Sequence, residues 1–176
     1  MIPLPGDCRY QLLLEDEELG SLYDKLKAQD LLWAVWPEWE KTGRGAFIEC
    51  LGKPWVYVLG AFIAGDLAGA LILRPFGELS LVGEIGVTAF RPYFKIAREL
   101  FLNALLFLLK SLDPAPAAFV GRVARVNRHI FAMLLACGFK EAARLPGLMW
   151  HARQGRFVEG ALVTARAEDI FRLMED

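Results

Sequence analysis

The chain has 176 residues, of which 55% are hydrophobic and 23% charged, with a formal net charge of −1. A chain of this length is expected to form one domain, residues 1–176, with ample apolar material for a core. The near-neutral balance, with a pI near 6.2, lacks the basic excess of a general nucleic-acid binder. The three cysteines, Cys8, Cys50 and Cys137, are far apart, form no CxxC pair and have only His129 and His151 for company. Neither a zinc site nor a disulfide framework is expected, and no metal cofactor.

The opening "MIPLPGDCRYQ" has no cationic stretch leading into an apolar one. No secretory signal is expected, and a reducing cytoplasm is the default. Residues 15–28 read as a helix. Glu15, Asp16, Glu17 and Glu18 crowd its first turn and Lys25 and Lys27 its last, which suits the helix dipole. Leu19, Leu22, Tyr23 and Leu26 make its apolar stripe. Residues 31–51 read as a second helix with an irregular lead-in, where Trp33, Trp36 and Trp39 cluster around Pro37.

The run "WVYVLGAFIAGDLAGALIL", residues 55–73, is long enough to span a bilayer and holds one charge, Asp66. The favoured reading is an antiparallel hairpin turning near Gly65-Asp66, because Val, Ile, Tyr and Phe crowd its first half and Gly beside Asp signals a turn. A strand covered on both faces is also continuously apolar. No membrane association is expected, despite a mean hydropathy of +0.33.

A strand is expected at about 79–90. A nearly all-apolar, buried helix follows at about 97–112, stopped by Asp113-Pro114. "AAFVGRVARV" (117–126) reads as a strand and "RHIFAMLLAC" (128–137) as a short helix. Ile130, Phe131, Leu134 and Leu135 share one face of that helix, Asn127 is placed to cap it and Gly138 to end it. A last hairpin flanks Gln154-Gly155, and a short helix starts near Ala167. This order predicts an α/β mixed sheet of about six or seven strands with helices on both faces. Residues 80–126 form one strand–helix–strand unit, hence a parallel pair.

Two patterns carry chemistry. In "EIGVTAFRPYFKIARELFLNALLFLLKSL" (84–112), Arg91, Lys95 and Arg98 gather where a strand feeds a helix, and no glycine lies between them. In "VNRHIFAMLLACGFKEA" (126–142), an Asn opens a short helix that ends on Gly-Phe. With the element order, they resemble the GCN5-related N-acetyltransferase superfamily over residues 55–145. That superfamily places an Arg or Gln, two residues, Gly, one residue, then Gly or Ala between its fourth strand and third helix. The best register here is "PYFKIA", Pro92 to Ala97, where only Ala97 matches; Lys95 stands at the glycine position and Pro92 at that of the Arg or Gln. Asn127, Gly138 and Phe139 all fit the second pattern. Loops with similarly eroded glycines are found in some phage-encoded members.

The resemblance implies an acetyl-CoA-dependent N-acetyltransferase in which an amine, from a small molecule or a peptide, attacks the thioester directly within a ternary complex. It puts the coenzyme against Val87, Lys95, Ile96, Ala97, Arg98 and Asn127. Lys95 and Arg98, with Arg91 beside them, would supply charge where glycine-mediated backbone contacts are missing. The plainer alternative is that these cations solvate an exposed loop. Glu84 stands where the superfamily often keeps a general base, with Gly86 marking a bulge or a close approach by ligand; its alternative is a salt bridge to Arg122 or Arg125 on the next strand. The resemblance sets a Tyr acid at the position of Leu134, which leaves Tyr93, Tyr57 or water for that role. The tryptophan cluster either lines the acceptor pocket or packs. His129 and His151 read as surface or packing residues and Cys137 as core. The competing class is a non-catalytic binding or assembly module of the same fold with a degenerate coenzyme site. A monomer or homodimer is expected.

Overall fold

The computed structural model describes residues 7–32, 43–77, 81–151 and 154–173. Its elements in chain order are β1 (Cys8–Leu12), α1 (Asp16–Ala28), α2 (Arg44–Leu51), β2 (Tyr57–Ile63), β3 (Asp66–Pro75), β4 (Val82–Ala89), a 3-10 turn (Arg91–Ile96), α3 (Ala97–Ser111), β5 (Ala118–Ala124), α4 (Arg128–Ala136), β6 (Lys140–His151), β7 (Arg156–Arg166) and α5 (Ala167–Arg172). Seven strands form one mixed sheet in the order β1-β2-β3-β4-β5-β7-β6. The α/β mixed sheet expected from the sequence is the one observed.

The sheet is covered on both faces, and strand alternation sorts the core in two. On one face Leu71 and Leu73 of β3, Ile85 of β4 and Phe119 of β5 pack with α3, including Leu102, Leu105 and Leu108. On the other, Ala70 and Ile72 of the same β3 pack with Leu19, Leu22 and Leu26 of α1 and Phe47 of α2. Consecutive β3 residues thus feed opposite layers, and the strand reads as unbroken apolar sequence. α3 is buried almost all round, because it lies under the sheet and is flanked by α4 and α5.

The apolar run at 55–73 is a hairpin, with Tyr57↔Leu73 through Ile63↔Asp66 in antiparallel register. Its turn is made by Ala64 (φ 50°) and Gly65 (φ 84°), one residue earlier than the sequence suggested. Two left-handed central residues define a type I′ turn, which Asn-Gly suits best. Ala at the first position is strained, so Ala64→Asn should raise stability by about 0.5–1 kcal/mol. Thermal unfolding would show this as a higher midpoint; a lower one would mean that the alanine methyl packs usefully. Among the described residues no helix is long and apolar enough to cross a membrane.

α1 begins with Glu18 turned back to accept from the N–H groups of Leu14 (2.8 Å) and Glu15 (3.2 Å). Such a box satisfies donors the helix leaves open. Four sequence expectations need correction or restriction. β1 was not foreseen: CRYQL is a short edge strand of alternating exposure with little apolar signal. β6 starts at Lys140 rather than near Gly147, with its register to β7 broken between Leu145 and Met149, where Pro146 and Gly147 (φ 69°) interrupt the ladder. In α4 Leu134 is buried but Leu135 is 42% exposed. Of the helix expected within 31–51, α2 is the described part, and the tryptophan cluster lies outside the described residues.

Candidate coenzyme cleft

β4 and β5 run parallel and in register from Val82↔Ala118 to Ile85↔Gly121, and there their pairing ends. β4 continues to Ala89 against β3 alone, while β5 continues to Ala124 against β7. The two strands therefore part beyond Ile85 and Gly121. The direction of the free backbone follows from hydrogen bonding. Phe90 donates to Ala68 and Val82 accepts from Phe76. Even-numbered β4 residues thus face β3 and odd-numbered ones face β5. Gly83 and Ile85 meet β5. Val87 and Ala89 lie beyond the last pair, so their N–H and C=O groups look into the opening.

Beside that opening, a small cavity between α3 and the face of β2, β3 and β4 is lined by Leu59, Leu71, Val87, Ala97, Leu100, Phe101 and Met133. Val87 and Ala97 are thereby brought to one place, with the start of α3 beside the free edge of β4. Met133 was not anticipated. It is the α4 residue that lines this cavity, whereas Leu134, at the position of the expected Tyr acid, is 2% exposed and belongs to the core.

The segment before α3 is a 3-10 turn rather than an open loop. Its backbone donors are largely spent: Arg91 N–H goes to Gln29 Oε1 (2.9 Å) and Tyr93 N–H to Phe90 O (2.8 Å). The three cations of this stretch are disposed differently. Arg91 donates to Gln29 O (3.3 Å). Arg98 donates through Nε to Ala136 O at the end of α4 (3.2 Å) and lies 3.7 Å from Glu99. Lys95 is exposed and meets no acidic group among the described residues. Ile96 is half-buried and packs near Leu100. Arg122 stands apart from the turn, on β5.

Asn127 occupies the position before α4, but its side chain makes no capping bond; its main chain does the work, donating to Ala124 O (2.8 Å) and accepting from Phe131 N–H (3.0 Å). The side-chain cap expected from the sequence is therefore corrected: with ψ at 57°, the residue closes a backbone turn instead.

Glu84 is 7% exposed and faces the α1/α2 side of the sheet. Its Oε2 accepts from Arg74 Nε (2.9 Å) and its Oε1 from Arg122 Nε (2.6 Å). The ion-pair alternative is thus the observed geometry, with Arg122 as foreseen and Arg74 added. Arg74 was missed because its partnership depends on the β3–β4 register, Arg74↔Glu84, which the sequence does not display. Each Glu84 oxygen thus accepts from one guanidinium group.

The other candidate acids and bases lie elsewhere. Tyr93 donates its hydroxyl to Asp66 (3.1 Å), and burial, then this carboxylate, push the phenol up from its ordinary range. The hydrogen bond from Lys25 holds Asp66 below the usual carboxylate range. Tyr57 lies toward the opposite end of the sheet, near Leu112 and Pro114. His129 is exposed; His151 is buried and accepts from Gln154 N–H (3.3 Å). Cys137 is fully buried, and burial pushes its thiol up to about 12.

No protein-family model matches the chain, and no curated protein matches it in sequence. Solved structures do match. A spermidine N-acetyltransferase from Vibrio cholerae, solved with CoA and spermine, superposes with a TM-score of 0.77 at 16% identity, covering 93% of this chain and 98% of the other. A probable acetyltransferase from Staphylococcus epidermidis gives 0.73 at 11% identity, covering 92% and 99%. A ribosomal-protein-S5-alanine acetyltransferase from Vibrio fischeri gives 0.69 at 12% identity, covering 92% and 94%. Strand order, the parted β4 and β5, and these superpositions agree: the chain has the fold of the GCN5-related N-acetyltransferases.

Proposed function

We propose that the protein is an N-acetyltransferase that binds acetyl-CoA in the opening between β4 and β5 and acetylates a primary amine. The observation that carries this reading is the free β4 edge at Val87 and Ala89, directly beside the first turn of α3. The residues present fit the coenzyme in two different ways. Val87 and Ala89 offer backbone donors and acceptors to an amide-bearing arm, with Phe101 and Met133 as apolar walls. At the diphosphate the fit is by charge. The 3-10 turn has few backbone donors to give, and the Ala97 N–H itself goes to Phe94 O, so Lys95 and the positive end of α3 at Ala97 and Arg98 hold the anion by charge in place of a glycine loop. Ile96 adjoins this position; Asn127 lies at the other end of α4 from the Arg98 contact with Ala136. The Vibrio cholerae relative in fold binds CoA and spermine, which supports the coenzyme and an amine acceptor alike.

When bound, acetyl-CoA supplies an activated acetyl group. The chain's own part is to hold the arm straight along β4, exclude water with the α3 and α4 walls, and present the acceptor from the α1/α2 side. Glu84 is assigned a role in organising Arg74 and Arg122 rather than in accepting the amine's proton. No α4 side chain replaces the missing tyrosine, so water is left to serve the leaving thiolate.

Calorimetric titration of CoA tests the reading. Lys95→Ala should weaken binding about ten- to hundredfold, the cost of one charge-assisted contact of about 1.5–3 kcal/mol. Added salt should weaken the wild type more than the variant. Equal affinity would remove Lys95 from the site. Absence of CoA binding to the wild type would leave the non-catalytic module, whose favouring observation is the occupied backbone of the 3-10 turn.

A further inference from the structure

The arginines that hold Glu84 are arranged for more than pairing. Arg122 gives only its Nε to Glu84 (2.6 Å). Among the described residues its two terminal nitrogens meet no acceptor, and its side chain is 33% exposed. Glu84, by contrast, is 9% exposed at the side chain and locked by two guanidinium groups. Two guanidinium groups meet the Glu84 carboxylate in this cluster. It lies on the α1/α2 side of the sheet, and Arg122 follows Gly121, the last β5 residue paired to β4. A pure structural pair would need one arginine. The second one presents an open planar fork at the point where the two strands part.

We infer that Arg122, oriented by Glu84 and supported by Arg74, recognises an oxyanion carried by the amine acceptor, a carboxylate or a phosphate. The acceptor half of this statement rests on the acetyl-transfer reading above; the anion site itself does not. A group so placed favours acceptors that carry an anion near the reacting amine, such as an amino acid or an acidic peptide. It disfavours polyamines, whose charge it repels. The Vibrio cholerae enzyme, solved with spermine, would then differ from this chain in acceptor charge.

Nuclear magnetic resonance of the arginine Nε–H groups in the full chain tests this with succinate, inorganic phosphate and spermidine as probes. Succinate or phosphate should shift the Arg122 signal saturably, and spermidine should not; which anion binds tighter identifies the source. Arg122→Gln should weaken succinate binding at least about tenfold, and Arg122→Lys, which keeps the charge facing Glu84, should weaken it by less. Glu84→Gln removes the competing carboxylate and should tighten binding on the order of tenfold. Saturating CoA should leave succinate binding in place. No saturable shift in the wild type, full binding to Arg122→Gln, or displacement by CoA overturns the inference, the last by giving the site to the coenzyme's own phosphates. A chain that binds succinate at Arg122 but never binds CoA keeps the anion site and loses the acetyl-transfer reading.

Discussion

Replacing Arg74 and Arg122 together by leucine should destabilise the fold by about 3–5 kcal/mol, the cost of leaving a buried charge without a partner. Glu84 is 7% exposed, in the centre of the sheet between β3 and β5, and both of its oxygens depend on these two side chains. Water reaches the arginines, each about one-third exposed, far better than it reaches the carboxylate. Removing Arg122 alone is milder, about 1–3 kcal/mol, because Arg74 still neutralises the charge. Adding Glu84→Leu to the double variant should restore most of the loss, since an apolar residue then replaces an orphaned ion. Urea unfolding of the four proteins measures all of this. If the triple variant is no more stable than the double, the arginines stabilise by packing their stems and not by charge.

Placing a carboxylate at the start of α3, Ala97→Asp, should lower CoA affinity about a hundredfold while leaving the fold as stable as before or slightly more so. The two effects have opposite signs for one reason. The N-terminus of a helix carries partial positive charge, which favours an aspartate there by about 0.3–1 kcal/mol. The same charge is what the proposed diphosphate uses, and a fixed anion a few ångströms away repels it by several kcal/mol at intermediate dielectric. Ala97 is half-buried and lines the cavity beside Val87, so the new side chain stands at the proposed site without entering the core. Calorimetry with CoA and a thermal scan of the same sample separate binding from folding. Unchanged affinity would place the diphosphate elsewhere, whereas a large fall in the melting midpoint would show that Ala97 packs more tightly than its exposure implies.

The sequence by itself determined the elements whose patterns are local. The charged ends of α1, the apolar α3 and the hairpin at 57–75 are written in residues a few positions apart, and each was legible because dipole, periodicity and turn preference act at that range. The parallel β4–β5 pair followed from the strand–helix–strand order. Where patterns are weak, reading failed: the edge strand β1 alternates without a strong apolar face, and β6 is interrupted at Pro146-Gly147. The candidate site divides in the same way. Val87, Lys95 and Ala97 could be named from one stretch of chain. What each cation does could not, because Arg98 is turned to the end of α4 and Arg91 to Gln29, partners 38 and 62 residues away. The partners of Glu84 were decided only by register, which sets Arg74 across from it on one side and brings Arg122 to it from the other. A carboxylate in a strand has the same local sequence whether it is a base or the centre of an ion cluster; the difference lies in which side chains the folded sheet brings to its two oxygens.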